Sequence, residues 1–187
     1  MKKLFVSTFS LAMLAILLGG CKGKQPKGQA PEIVKDTVEI QDSTIYGVCG
    51  EGCAMHTLQL ITDNGDTLNC MLEGKDGDTF VEVQGGMSIG DKVGVTIQKD
   101  SAGIIYVQTA VNITSLLGKW GSLDKTFQLN KDGSVDTNIK EPKPYTSWNL
   151  INGKLVLSPD TFEITTLGPD SLYLKSGQGV VGYRRLK

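Results

Sequence analysis

The chain holds one histidine, His56, in 187 residues, and that scarcity removes most chemistry built on imidazole. No Gly-x-Ser-x-Gly elbow, glycine-rich phosphate loop or His-Glu-x-x-His helix is present, so no enzyme activity is expected. Aromatic residues make up only 6%, and the formal net charge is −1. A single-strand nucleic-acid site needs a cationic groove and stacking aromatics, which makes nucleic acid a poor partner for this composition. The longest uncharged apolar stretch, residues 4–18, falls short of the ~20 residues that span a bilayer as a helix. Helical periodicity is also missing from the rest of the chain.

What is present begins at the N-terminus. Lys2 and Lys3 precede residues 4–18 (LFVSTFSLAMLAILL), the charged n-region and apolar h-region of an export signal. Leu18-Gly19-Gly20-Cys21 follows and resembles the bacterial lipobox. That resemblance implies removal of residues 1–20, a diacylglycerol on the Cys21 thiol and a further acyl chain, such as palmitate, on its new amine. Two or more chains anchor a protein stably where one myristoyl chain holds it only marginally. Residues 21–32 are then the lipidated cysteine and a tether of Gly, Pro, Gln and Lys with nothing to bury. Lys22 stands where lipoproteins retained in the inner membrane carry Asp, and no acidic cluster follows Cys21. The expected location is the outer membrane, facing the periplasm.

Charge divides the remainder. Residues 33–113 carry four lysines against twelve carboxylates, and residues 115–187 carry ten basic against seven acidic groups. The expected modules are 33–114 and 115–187, with a seam near Thr114 to Gly118. In both, short alternating runs are separated by Asn-Gly, Asp-Gly or Gly-Asp, the hairpin pattern of an all-β protein. We expect two small antiparallel β-barrels, the first OB-like, with another small barrel or a sandwich as the alternative.

In the first module residues 57–62 and 66–72 flank Asp63-Asn64-Gly65. Gly65 supplies the positive φ of a three-residue hairpin loop, which sets Leu60 opposite Leu68 and Leu58 opposite Cys70. Further strands are expected at 79–83, 92–97 and 104–107, with Ile89-Gly90-Asp91 as the turn entering the second of these.

Residues 46–56 (YGVCGEGCAMH) hold two of the three cysteines that remain after lipidation, and the histidine. Three readings stand open. Cys49, Cys53 and His56, with Met55 or Cys70, are soft ligands suited to Cu(I) or Zn(II). Alternatively, Cys49 and Cys53 close the Gly50-Glu51-Gly52 turn as a disulfide in an oxidising compartment, leaving Cys70 as a thiol packed against Leu58. A redox-active pair is the third, though Glu51 and a neutral His56 offer no cation to activate a thiol. The stretch from Tyr46 to Leu60 resembles the N-terminal signature of the NlpE family of outer-membrane lipoproteins, matching at Tyr46, Gly47, Cys49, Cys53, Thr57, Leu58 and Leu60. Three residues separate the cysteines here where that family has two. The resemblance implies copper handling or envelope-stress sensing.

The second module opens on Gly118-Lys119-Trp120 and closes on Tyr183-Arg184-Arg185. A Gly-x-Trp on the first strand with an arginine on the last resembles the lipocalin family, and the whole module is similar to the short lipocalin-like domains of Bacteroidetes lipoproteins. The resemblance implies that Arg184 or Arg185 packs over Trp120 and closes the barrel. Turns are expected at Lys131-Asp132-Gly133 and Asn152-Gly153. Trp120, Phe127, Trp148, Leu150 and Leu157 are candidates to fill the interior. Two functions compete: an anchored envelope lipoprotein with a binding or structural role, recognising a small apolar molecule or a partner protein; or metal handling and stress sensing through Cys49, Cys53 and His56.

Overall fold

The computed structural model describes residues 41–137 and 144–187. The expected export signal, Cys21 and the expected tether lie outside them. Thirteen strands and one four-residue helix make up the regular structure of the described residues.

Strands β1 (Ile45–Cys49), β2 (Thr57–Thr62), β3 (Thr67–Met71), β4 (Lys92–Lys99) and β5 (Ile105–Asn112) form a closed barrel in the order β1-β2-β3-β5-β4. Every pairing is antiparallel except β3 with β5, which run parallel, as in an OB-type barrel. Alternation explains the β2–β3 hairpin: Leu58 faces Cys70 and Leu60 faces Leu68, with Leu58, Leu60 and Cys70 buried. The Gly65 amide donates to the Thr62 carbonyl, and Gly65 sits at φ +91, the conformation its lack of a Cβ permits. Two expectations change. Residues 79–83 form no strand and make one isolated bridge, Phe80 to Glu73, with Gln84 just beyond bridging Val111, because the acidic, glycine-containing residues 73–79 are spent on turns. The last strand of this barrel is longer than 104–107 and runs to Asn112, where the Asn112 side chain accepts the Ser115 amide and starts helix α1 (Ile113–Leu116).

Strands β6 (Gly118–Gly121), β7 (Thr126–Leu129), β8 (Val135–Thr137), β9 (Trp148–Ile151), β10 (Lys154–Leu157), β11 (Asp160–Leu167), β12 (Ser171–Ser176) and β13 (Gly179–Leu186) form one eight-stranded antiparallel sheet. It curls into a nearly closed meander, the last strand pairing with the first, Arg185 opposite Trp120. At the seam between β8 and β9 the link is a single bridge, Ser134 to Ser147, with two flanking backbone hydrogen bonds. Trp120, Phe127, Leu150, Leu155, Leu157, Leu172 and Leu174 fill the interior at near-zero exposure. Trp148 is only half-buried; its indole N–H donates to the Asn130 carbonyl instead.

The two barrels touch closely. The Tyr46 hydroxyl of β1 donates to the Leu150 carbonyl at 2.5 Å, and a Cβ at Gly94 of β4 would lie 2.6 Å from a Leu150 methyl. Burial, then the Asp42 carboxylate, pushes the Tyr46 phenol above its usual pKa, so it stays a donor. The Leu167 amide donates to the Gln84 side chain across the same junction. Asn152, at the β9–β10 turn with φ +50, holds the first described residues: its side chain accepts from the Ser43 amide and hydroxyl and donates to the Gln41 carbonyl.

Candidate functional site

The cysteine cluster sits where β1 leaves the first barrel. Cys49, its last residue, is buried, and Cys53 lies four residues on in the loop to β2. They form a disulfide with a Cα–Cα separation of 6.2 Å, within the range a bridge can span. The intervening turn is fastened by a residue that sequence reasoning passed over. Gln59 accepts the Gly52 amide through its side chain and the Gly50 amide through its backbone carbonyl. Its side chain occupies the space that a Cβ at either glycine would need, 2.5 Å at Gly50 and 3.0 Å at Gly52. Only the alternation of β2, which turns Gln59 away from the core beside Leu58 and Leu60, signals it in the sequence.

The other proposed ligands go elsewhere. His56 is exposed; its Nδ1 lies 2.6 Å from a Glu73 carboxylate oxygen and its ring packs edge-on against Phe80. Met55 is exposed. Cys70 is a free thiol buried in the barrel core. Among the described residues no three His, Cys, Asp or Glu side chains are arranged to hold a metal ion. With Cys49 and Cys53 bridged, neither offers a thiolate as a ligand.

Burial pushes the Cys70 thiol up to about 11. Because the unfolded chain sheds this proton near pH 8.5 and the folded one does not, the Cys70 contribution is complete below that pH. It is lost as pH rises toward 11, by roughly 2–3 kcal/mol. Urea unfolding across that window should show the loss in the native sequence, with the slope reduced in Cys70→Ala. Thiol counting tests the bridge itself. The unreduced chain from residue 32 onward should weigh ~2 Da less than the reduced one and expose one thiol, Cys70, only on denaturation. Three reactive thiols and a retained Cu(I) or Zn(II) would instead restore the metal reading.

The second barrel has two unlike ends. At one, the Arg185 guanidinium lies 4.2 Å from the centre of the Trp120 ring. It donates to the carbonyls of Leu117 at 2.8 Å, Pro169 at 2.5 Å and Ser115, while the Trp120 indole donates to the Leu116 carbonyl at 2.9 Å. The buried indole N–H is thereby satisfied, and the half-buried guanidinium covers the indole face. Gly118 has φ +124, and a Cβ there would lie 2.8 Å from the guanidinium, which accounts for the glycine of the Gly-x-Trp motif. Arg184 takes no part. It pairs with Ser171 and Gly121 at outward-facing positions and is exposed, since neighbouring residues on a strand point to opposite faces.

No family model, curated protein or solved structure matches this chain.

At the opposite end the barrel is open. The turns β6–β7, β10–β11 and β12–β13 surround a cup of about 680 Å³. Its floor is aromatic: Tyr145, Phe162 and Tyr183 line it, and Phe127 lies edge-on beneath Tyr145 and Tyr183 with ring centres 5.9 and 5.0 Å apart. Lys125 sits 4.0 Å over the Tyr145 ring, and Asp124 and Asp160 stand on the rim. The interior below is closed by the protein's own side chains, so the usable space is a mouth rather than an enclosed cavity. Of its floor, Phe162 and Tyr183 stand at buried positions of alternating strands, whereas Tyr145 lies in no strand.

Proposed function

We propose that this protein is a lipid-anchored envelope lipoprotein that binds a small molecule with an apolar face in the open mouth of its C-terminal barrel. The observation that carries the reading is the cup itself. Its volume of about 680 Å³ lies within the ~300–1,000 Å³ common for small-ligand sites. Its floor is aromatic and its rim polar, the arrangement in which apolar surface supplies affinity and a few polar groups set orientation. The Trp120–Arg185 seal gives the barrel a rigid base, so the cup does not have to order itself around a ligand. Cys21 supplies the anchor, and the oxidised Cys49–Cys53 pair suits a compartment outside the cytoplasm.

The test has two arms. The N-terminal peptide of the mature protein should carry diacylglycerol and acyl mass on Cys21, and Cys21→Ala should abolish it. For the cup, the soluble chain from residue 32 onward is titrated with anilinonaphthalene sulfonate. Saturable enhancement is expected, weakened about tenfold, or ~1.4 kcal/mol, by Val181→Arg at the mouth. Val181 faces the inside of the barrel yet is exposed, so the substitution leaves the core intact. Equal binding by both chains would sink the cup as the site.

A further inference from the structure

The outer wall of the second barrel is uneven in charge. Strands β6, β13 and β12 are neighbours in the sheet, and together they contain Lys119, Lys175, Arg184 and Arg185 but no Asp or Glu. In a chain with more acidic than basic residues this is the opposite of the average surface. Arg185 is turned inward, as described. Lys175 meets Glu163 of β11 at 3.2 Å, while Lys119 and Arg184 have no carboxylate partner among the described residues.

The same wall is apolar between its cations. Val180 is 56% exposed, Tyr173 45% and Leu186 39%. Two glycines give these side chains a bed: a Cβ at Gly182 would come within 2.9 Å of the Tyr173 ring, and one at Gly121 within 2.8 Å of Leu186. The ring and the leucine therefore lie along the wall rather than standing off it. The result is a shallow apolar strip with unpaired cations beside it, too flat to enclose a small ligand.

We propose that this wall rests on an anionic phospholipid surface. Tyrosine belongs at the water–lipid boundary, short aliphatic side chains enter its apolar edge, and unpaired Lys and Arg reach lipid phosphates. The charge distribution turns this wall toward such a surface: residues 33–113 hold eight more acidic than basic groups and are repelled by it, while residues 115–187 hold three more basic than acidic. The proposal rests on the Cys21 anchor for the proximity of the bilayer. The twenty residues from Cys21 to Ile40 have a covalent reach of at most ~3.6 Å each, which keeps the protein near the lipid and raises the local concentration of lipid at the wall.

The experiment uses the full mature lipoprotein carrying Tyr173→Trp, reconstituted in vesicles of phosphatidylethanolamine and phosphatidylglycerol with brominated acyl chains. Quenching of the added tryptophan is expected, absent in phosphatidylcholine vesicles. It should be lost in Lys119→Glu/Arg184→Glu while the protein still floats with the vesicles. Flotation without quenching would overturn the wall and leave the anchor standing; failure to float would overturn the anchor. In that case co-sedimentation of the unanchored chain with the same vesicles decides the wall: association reduced about tenfold by the double substitution supports it, and no association overturns it. A dimer that forms through the strip and leaves Tyr173→Trp unquenched would overturn it in favour of a second copy.

Discussion

Replacing Trp120 with alanine is expected to destabilise the protein by ~3–5 kcal/mol, measured by urea unfolding of the chain from residue 32 onward. The indole is fully buried, and its removal leaves a cavity at the base of the eight-stranded barrel that the surrounding leucines cannot fill. It also strips the Arg185 guanidinium of its aromatic face while leaving three main-chain carbonyls as its partners. Arg185→Ala should cost less, because its acceptors regain water once the end opens. A double-mutant cycle separates the terms: the two losses should fall short of additive by ~0.5–2 kcal/mol, the worth of the cation over the ring. Strict additivity would mean that the contact contributes nothing beyond burial. Lys at position 185 should not restore the loss, since an ammonium cannot present the planar fork that reaches three separate carbonyls.

Leu150→Ala is the second large change, at ~2–5 kcal/mol. Leu150 serves both barrels: its side chain is buried in the second core, one methyl lies against Gly94 of the first, and its carbonyl accepts the Tyr46 hydroxyl. Gly94→Ala should be destabilising as well, by ~1–3 kcal/mol, because the added Cβ has to displace the Leu150 side chain. The pair should compensate. The double variant is expected to be more stable than the sum of its single losses predicts, since the methyl added at Gly94 enters the space vacated by leucine. Losses that simply add would show that Gly94 and Leu150 do not share that space in solution.

Much of this architecture was legible from short-range pattern. The Leu58, Leu60 and Cys70 alternation, with Gly65 between, set one hairpin register, and Asn152-Gly153 marked another with both residues at positive φ. The all-β class followed from such turns, and the second barrel from the resemblance carried by Gly118, Trp120 and the terminal arginines. What the pattern could not show is how separate hairpins meet. Gln84 reaching Leu167, Asn152 holding Ser43 and Tyr46 reaching Leu150 join residues 83 to 109 positions apart, and a polar side chain shows no periodicity that names its distant partner. The cup is a case in between. Phe162 and Tyr183 follow strand alternation, whereas Tyr145 comes from an irregular segment whose place depends on the curl of the whole sheet. At the cysteines, spacing alone left a bridge and a metal centre open, because it does not say how close Cys49 and Cys53 come or where His56 points; the two cysteines are bridged and His56 meets Glu73.

The seal at Arg185 has a consequence for the order in which the molecule is made. Two of its three acceptors, Ser115 and Leu117, belong to the segment joining the two barrels, but the guanidinium arrives on β13, the final strand of the sheet. A chain emerging from its N-terminus can complete the first barrel while the second still lacks its base, and domains do tend to fold as they emerge. Until β13 pairs with β6, Trp120 has no cation above it and the sheet has two free edges. Without β13 the latch cannot form: a product cut short before that strand would present an unsealed, adhesive sheet.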